Sequence, residues 1–246
     1  MRVLDLFSGT GSATQAFADA GHEVVRVEMD ERFPAEVHAD VRDIDPRTLP
    51  AFDFVWASPP CTSFSVGSFR HHWHATTKCL TCDAFMHRSG HERWFHAWRP
   101  SCTRVRPGPL HYWPKSTTGE LGRSLLQHTL HLIDGLEPRW WIIENPRALM
   151  RKMPELAGVE CKTITHCQYG DPRRMKPTDL FGVFPEGFDA RACRNGDPCH
   201  EAAPRGARTG TQGLSSEDSA MLPPLLGVEL LAAMEVELSE AAYELR

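Results

Sequence analysis

The sequence predicts an α/β fold with a doubly wound, mostly parallel sheet. In the first 60 residues, short apolar runs typical of buried strands alternate with a glycine turn and a helical segment. Strands that are separated by helices usually lie parallel in one sheet, with helices on both faces. The elements predicted here are strands at 3–7, 23–27 and 53–56 and a helix at 13–20, which ends at Gly21.

The same pattern returns in the second half of the chain. We predict a helix over 119–136, whose leucines share one side, a buried strand at 139–143 and another strand at 163–169. Residues 185–216 are rich in Gly, Pro, Cys and Arg and predict a loop. The stretch 216–245 predicts a helix that is interrupted near two prolines.

The segment between these two halves breaks the pattern. It is rich in Cys, His, Trp and Pro and has little periodicity. We therefore predict one domain from residues 1–69 and 116–246, with 70–115 as an inserted lobe.

The composition indicates a folded protein with reduced cysteines. Hydrophobic residues make up 41% of the 246 residues, which excludes global disorder. We find no apolar run long enough to span a bilayer, and the N-terminus lacks the features of a signal peptide. We therefore expect a cytoplasmic protein with no membrane partner, favoured as a monomer, whose eight cysteines are available as metal ligands or nucleophiles.

Charge is distributed unevenly along the chain. The net charge is −5, but the stretch from Arg70 to Lys115 holds eight Lys or Arg residues and only two acids. It also contains seven of the 13 histidines and four of the seven tryptophans. Such a basic, aromatic-rich patch is typical of a surface that binds a nucleic-acid backbone; the alternative is a surface insertion with an accidental bias.

The glycine turn after the first strand indicates a nucleotide-like ligand. In the stretch DLFSGTG, Phe7, Gly9 and Gly11 follow the strand and allow the backbone to approach a ligand at the sheet edge. Glu28, at the end of the second strand, is an acid that would bind ribose hydroxyls. This pairing occurs in dinucleotide sites and in S-adenosylmethionine sites, and a purely structural turn is the third interpretation.

Three further motifs carry chemistry. In ASPPCTSFS, Pro59 and the next proline stiffen a loop that presents Cys61, either as a nucleophile or as a small core residue. Glu144 begins the Glu-Asn-Pro motif after an apolar strand and is a proton donor or a helix cap. The basic residues Arg173, Arg174 and Lys176 either clamp a phosphate or base carbonyl or form a surface cluster.

The remaining cysteines suggest structural zinc. Cys79 and Cys82 have the spacing of a zinc half-site, and Cys102 and His91 are the favoured residues to complete it. A metal would stabilise a segment that has few aliphatic residues. A second, weaker set consists of Cys193, Cys199 and His200, with Cys167 as the residue that completes it after folding.

The order of these motifs resembles that of the DNA (cytosine-5) methyltransferase family. The resemblance covers roughly residues 1–65 and 119–182, with a weaker echo at 205–233. The stretches RWWIIENPRALMRKMPEL, KPTDLFG and APRGARTGTQGL are similar to small phage or prophage-type members, which places the expected host in a bacterial or phage-infected cell and suggests restriction-modification. The resemblance implies a Rossmann-like S-adenosylmethionine-dependent methyltransferase fold.

The resemblance also implies a role for each motif. Cys61 adds to C6 of a flipped cytosine in DNA, and Glu144 protonates N3, so that C5 takes the methyl group. Arg174 and Lys176 match the basic motif of the catalytic site. The cofactor S-adenosyl-L-methionine is expected to contact Phe7, Gly9, Gly11, Glu28, Asp40 and Pro59, with Asp43 a rival to Asp40 for the adenine amine.

Several positions depart from the family pattern. Thr62 follows the cysteine where the family usually has Gln, and Pro146 follows Glu-Asn where it usually has Val. Only about thirty residues are available after the basic motif for target recognition, so the insertion is expected to share that role. The alternatives are the same chemistry on RNA or with a modified alkyl donor, and a catalytically silent, nucleic-acid-binding relative.

Overall fold

The computed structural model describes residues 1–81, 85–88, 94–96, 109–201 and 214–244. The strands in these ranges are β1 (Arg2–Leu6), β2 (Glu23–Val27), β3 (Phe54–Ala57), β4 (Trp73–Lys78), β5 (Phe85–Arg88), β6 (Trp94–His96), β7 (His111–Pro114), β8 (Trp140–Pro146), β9 (Cys161–Thr165) and β10 (Pro177–Val183). The helices are α1 (Gln15–Asp19), α2 (Phe69–His72), α3 (Thr117–Leu136), α4 (Ser216–Ala220) and α5 (Pro224–Glu244).

A central six-stranded sheet has the order β2-β1-β3-β8-β10-β9. The pairs β1–β2, β1–β3 and β3–β8 are parallel, whereas β10 is antiparallel to both β8 and β9. The carboxyl ends of β1, β3 and β8 therefore lie at one edge of the sheet, and the amino end of β10 lies there too. Strand β2 lies on one side of β1, and β3, the next strand along the chain, lies on the other. The strand order therefore reverses at β1, and ligands bind at such a switch point in doubly wound folds.

Two hydrophobic layers cover the sheet and explain its continuous apolar strands. One face packs against α3 through Leu126 and Leu132, together with Leu4 and Leu6 of β1. The opposite face packs against α1 and α5, with Trp56 at its centre. The predicted doubly wound, mostly parallel fold is thus confirmed.

Helix α5 is long and apolar because one side of it is core. By length and composition, the stretch Glu217–Tyr243 would be able to cross a membrane, which our expectation from the sequence did not include. Its residues Leu226, Leu230 and Met234 are at most 1% exposed and belong to the core layer that also contains Phe17 of α1. Core packing therefore accounts for part of the hydropathy of this stretch, 39% of which is buried.

The described part of the insertion forms a second, antiparallel sheet with the order β6-β5-β4-β7. Strand β4, the first of the four along the chain, is anchored next to the loop that carries Cys61. The Trp73 indole donates a hydrogen bond of 3.0 Å to the Ser63 carbonyl, and its ring lies 5.4 Å from that of Phe64. The insertion thus begins directly beside the predicted nucleophile.

The sequence predictions differ from the structure in several elements. The Glu-Asn-Pro motif forms the last residues of β8, paired with β10, instead of following the strand. Strand β10 and the strands of the insertion were not predicted. Strand β9 ends at Thr165, and a short 3-10 turn replaces the predicted strand residues after it. Helix α1 is shorter than predicted, with only five residues.

Close packing of α3 against the Cys61 loop leads to a testable prediction. A Cβ atom at Gly122 would overlap the Ser63 hydroxyl and lie 3.2 Å from the Phe64 ring. Gly122→Ala should lower the free energy of unfolding by about 1–3 kcal/mol through overpacking and push the loop outward. Alkylation of Cys61, followed by peptide mass spectrometry, should therefore become several-fold faster.

Gly135→Ala is the matched control. Gly135 lies in the same helix as Gly122, and its Cβ would lie 2.7 Å from Pro46, far from the Cys61 loop. Urea unfolding should show a comparable loss of stability, with the alkylation rate of Cys61 unchanged. Equal alkylation rates in the two variants would show that the helix, and not the loop, yields.

Candidate active site

A cavity of about 840 Å³ lies at the carboxyl edge of the central sheet. It is bounded by the glycine turn after β1, the Pro-Pro-Cys loop after β3, the end of β8 and the start of β10. Six of the predicted site residues line it: Phe7, Gly9, Pro59, Cys61, Glu144 and Lys176. The parallel strands therefore bring together motifs that are up to about 170 residues apart in the sequence.

Cys61 is held by a short, hydrogen-bonded turn. Its carbonyl accepts hydrogen bonds of 2.9 Å from the backbone N–H groups of Phe64 and Ser65. The Asn145 side-chain amide donates a bond of 2.9 Å to the Pro59 carbonyl and so ties the loop to β8. The Asn of the Glu-Asn-Pro motif thus positions the Cys61 loop, a role that we did not predict from the sequence.

The Cys61 thiol and the Glu144 carboxyl share one electrostatic environment. Burial raises the pKa of the Cys61 thiol, the charge of Glu144 raises it further, and the charge of Lys176 opposes both. Burial also raises the pKa of the Glu144 carboxyl, against the Lys176 charge and a hydrogen bond from Ser58. Burial therefore shifts both groups toward their protonated forms, and a protonated carboxyl can donate a proton.

Lys176 and Arg174 hold residues 218–221 over the cavity. The Lys176 ammonium donates a 2.7 Å hydrogen bond to the Ser219 carbonyl, and Ser219 itself lines the cavity. The Arg174 guanidinium is 3% exposed and donates to the Asp171 carboxylate and to the carbonyls of Asp218 and Met221. Arg174, predicted to be catalytic, is therefore engaged by protein groups and does not line the cavity.

The predicted cofactor residues divide into two groups. Phe7 and Gly9 line the cavity in left-handed conformations, with φ of 59° and 49°, and a Cβ on Gly9 would meet no atom within 4 Å. Glu28 does not line the cavity, and one of its oxygens accepts a 2.9 Å bond from the Gly9 N–H. Asp40 caps a short turn and binds Arg42 through both oxygens, and Gly11 faces the Arg26 side chain.

Four buried polar atoms of the cavity lining have no hydrogen-bond partner among the described residues. They are Asp5 Oδ1, Ser8 Oγ, Glu144 Oε1 and Asn145 Oδ1. Buried polar groups are normally satisfied, so these atoms indicate that a polar ligand belongs in the cavity. Asp5, Ser8 and Ser58 are functional candidates that we did not predict; the signal for Asp5 was a charged residue within an apolar strand.

The two predicted metal sites have different outcomes. Of the favoured set, Cys79 is described and buried, whereas Cys82, His91 and Cys102 lie outside the described residues. The second set converges: the ligand atoms of Cys167, Cys193, Cys199 and His200 all lie within 4.8 Å of one another. The sequence indicates this second set as the weaker of the two, and the favoured set stays a prediction.

Two comparisons with known proteins confirm the predicted family resemblance. Residues 1–85 match the family model described as C-5 cytosine-specific DNA methylase. The "Probable DNA (cytosine-5)-methyltransferase" of Frog virus 3 (isolate Goorha) is 27% identical over 251 residues, which cover 94% of this chain and 99% of that protein. The resemblance to the DNA (cytosine-5) methyltransferase family also supports the prediction of an enzyme of this class.

Two methyltransferases of known structure match this chain at lower similarity. The Entamoeba histolytica methyltransferase EhMeth has 12% identity and a TM-score of 0.46, over 78% of this chain and 56% of that chain. The S. pombe Dnmt2 methyltransferase has 13% identity and a TM-score of 0.39, over 78% of this chain and 51% of that chain. This chain spans just over half the length of both solved proteins.

The buried Asp5 carboxyl leads to a prediction about stability and pH. Burial raises its pKa to about 7, although one oxygen accepts a 2.7 Å hydrogen bond from the Thr14 hydroxyl. The native state therefore binds this proton more tightly than the unfolded state does. The resulting stability is fully present below the unfolded pKa and is lost as the pH rises through about 7.

Asp5→Asn should remove this dependence, because the amide does not ionise. Urea unfolding from about pH 5 to about pH 9 should show a loss of stability in the wild type that exceeds the loss in the variant, by at most about 3 kcal/mol. Asp134→Asn, at an exposed position of α3, is the control and should follow the wild type. Parallel curves for Asp5→Asn and wild type would show that Asp5 does not titrate in this range.

Proposed function

We propose that this chain is an S-adenosyl-L-methionine-dependent enzyme that methylates C5 of cytosine in DNA. The observation that carries the proposal is that Cys61 and Glu144 line one cavity together with the glycine turn. Addition of a thiol to an aromatic base requires that the thiol and a proton donor both reach the same ring. The similarity of residues 1–85 to the C-5 cytosine methylase family model and the Frog virus 3 relative supports the same reaction.

The cavity fits a cofactor at the glycine turn. Phe7, Gly9 and Pro59 line its wall. The unpartnered atoms Asp5 Oδ1 and Ser8 Oγ belong to the same glycine-turn motif and also face the cavity. S-adenosyl-L-methionine, when bound, supplies a methyl group on a sulfonium that a carbon nucleophile can accept. Glu28 supports this site from behind by fixing the Gly9 N–H, and we retain Glu28 and Asp40 as candidates for the ribose and adenine contacts.

In the first half of the reaction, Cys61 loses a proton and Glu144 donates one. The Cys61 thiol loses its proton to water, and its Sγ forms a bond to C6 of cytosine while protonated Glu144 gives its proton to N3. The charge of Lys176 favours the thiolate of Cys61 and the carboxylate of Glu144 that these two steps produce. The ring loses its aromaticity, and C5 becomes an enamine carbon that can form a bond to a methyl group.

The second half of the reaction reverses the addition. Once C5 carries the methyl group, its hydrogen leaves as a proton to water, and the C6–Sγ bond breaks with its electrons returning to Cys61 as a thiolate, which regains a proton from solvent. The C5=C6 double bond forms again, and N3 returns its proton to Glu144. The chain therefore ends the cycle with Cys61 and Glu144 in their starting states.

The substrate must present an unstacked cytosine, because C6 is not accessible inside a duplex. The exposed Arg147 lines the cavity and is placed to contact the phosphate backbone at its rim. We propose that the basic insertion, residues 70–115, is a separate lobe that continues this surface. The attachment of Trp73 beside the Cys61 loop supports this proposal.

Trapping of a covalent adduct tests the mechanism. DNA with 5-fluorocytosine at target positions should form a denaturation-resistant complex with the wild type when the cofactor is present, because fluorine cannot leave C5 as a proton does. Cys61→Ala should form none. Glu144→Gln, which cannot protonate N3, should slow methyl transfer at least about 100-fold, in keeping with the loss of a general acid.

The matched controls are Cys161→Ala, an exposed cysteine outside the cavity, and Glu120→Gln, an exposed acid on α3. Both should trap the DNA and transfer methyl groups at the wild-type rate. All four variants should retain stabilisation by S-adenosylhomocysteine in a thermal melt, which separates lost chemistry from lost cofactor binding. An adduct formed by Cys61→Ala would overturn the assignment of the nucleophile.

A further inference from the structure

Outside the cavity, a cluster of three thiols and one imidazole surrounds a single point. The Cys167 Sγ lies 3.2 Å from the Sγ of Cys193 and 3.7 Å from that of Cys199. The His200 Nδ1 lies 3.5 Å from the Sγ of Cys193, 3.5 Å from that of Cys199 and 4.0 Å from that of Cys167. We propose that these four residues bind one structural zinc ion.

The distances match those of a tetrahedral metal centre. With zinc–sulfur bonds of about 2.3 Å and zinc–nitrogen bonds of about 2.0–2.1 Å, neighbouring sulfurs lie about 3.8 Å apart and sulfur and nitrogen about 3.6 Å apart. Four of the five separations given above lie within about 0.4 Å of these values, and the Cys167–Cys193 sulfur pair, at 3.2 Å, is about 0.6 Å closer. All three cysteines are free, so no disulfide accounts for the convergence.

The chemistry of the ligands selects the metal. Three thiolates and one imidazole are soft or borderline donors that suit zinc and do not suit magnesium or calcium. Four protein ligands close the coordination sphere, which is typical of a structural site; a catalytic site keeps one position for water. His200 directly follows the ligand Cys199, so its nearer ring nitrogen, Nδ1, is the one that reaches the centre.

The surrounding backbone brings the ligands to this point. Cys167 lies in the turn after β9, and the loop with the other ligands runs alongside it, since the Thr165 N–H donates to the Arg191 carbonyl. The Thr165 hydroxyl accepts a 2.9 Å bond from the Cys193 N–H. Farther on, the Glu201 N–H donates to the Pro172 carbonyl. Residues 184–201 contain no helix or strand, and a metal would add four-fold cross-linking to the hydrogen bonds that fasten this loop.

The cluster lies beside the turn that precedes Lys176 of the cavity lining. His166, adjacent to Cys167, accepts a backbone bond from Asp171 and donates one to the Met175 carbonyl, so the turn is closed on itself. The next residue after Met175 is Lys176, which lines the cavity. The zinc ion would therefore stabilise the turn that positions Lys176, without contacting a substrate. This inference does not depend on methyl transfer.

Metal analysis of cysteine variants tests the site. The full-length wild type, Cys193→Ser and Cys161→Ser should be purified identically and their zinc measured by mass spectrometry against protein concentration. Cys161 is the matched control, because it lies in the same strand–turn unit but outside the cluster. Cys193→Ser should contain about one zinc equivalent less than the wild type, and Cys161→Ser should lose none. This difference is independent of any metal that the insertion binds.

A second measurement uses only the wild-type protein, so it holds even if Cys193→Ser fails to fold. Cys167, Cys193 and Cys199 should resist alkylation until a zinc chelator is added, whereas Cys161 should react at the same rate with and without the chelator. Cobalt(II) in place of zinc should give the visible absorption of a tetrahedral thiolate site. Two results would overturn the proposal: the same rapid alkylation of the three cysteines before and after chelation, or a disulfide between Cys167 and Cys193 in the freshly purified protein.

Discussion

Parallel pairing of β3 with β1 on one side and β8 on the other is the constraint on which the site depends. This pairing places the glycine turn, the Cys61 loop and Glu144 at one edge of the sheet, although they lie far apart in the sequence. The Asn145 bond to Pro59 then fixes the distance between the last two. A chain with the same motifs but without this strand order would have no shared cavity.

Burial gives these groups their chemistry. In water, a carboxyl is ionised at neutral pH and a thiol beside it gains little from a neighbouring lysine. In the cavity, burial raises the pKa of both Glu144 and Cys61, and Lys176 opposes these shifts from the same site. Lys176 also binds the Ser219 carbonyl, so the cation that tunes the site also holds the segment that covers it. In the proposed mechanism, catalysis and closure of the cavity are therefore linked through one side chain.

Motifs next to apolar strands were predictable from the sequence, because local pattern determines both the strand and the position of its end. Cys61 and Gly9 are of this kind, and Glu144 was found in the same way although its strand continues to Pro146. The antiparallel strand β10 was not predicted, because its pairing with β8 is a long-range contact with no local signature. Arg174 resembled a substrate-binding residue in the sequence, but its partners Asp218 and Met221 lie more than forty residues away. Cys167 and His200 likewise converge only through the fold.

The most direct test of this account is mass spectrometry of nucleosides after incubation of the purified protein with DNA, RNA and cofactor carrying a deuterated methyl group. The account predicts labelled 5-methyldeoxycytidine from DNA, dependent on the cofactor and lost when Glu144 or Cys61 is replaced. Label found only in 5-methylcytidine from RNA would preserve the chemistry and contradict the proposed substrate. Label on a ring nitrogen or an exocyclic amine, or no label in either nucleic acid, would contradict the assignment of Cys61 and Glu144 to cytosine C5 methylation.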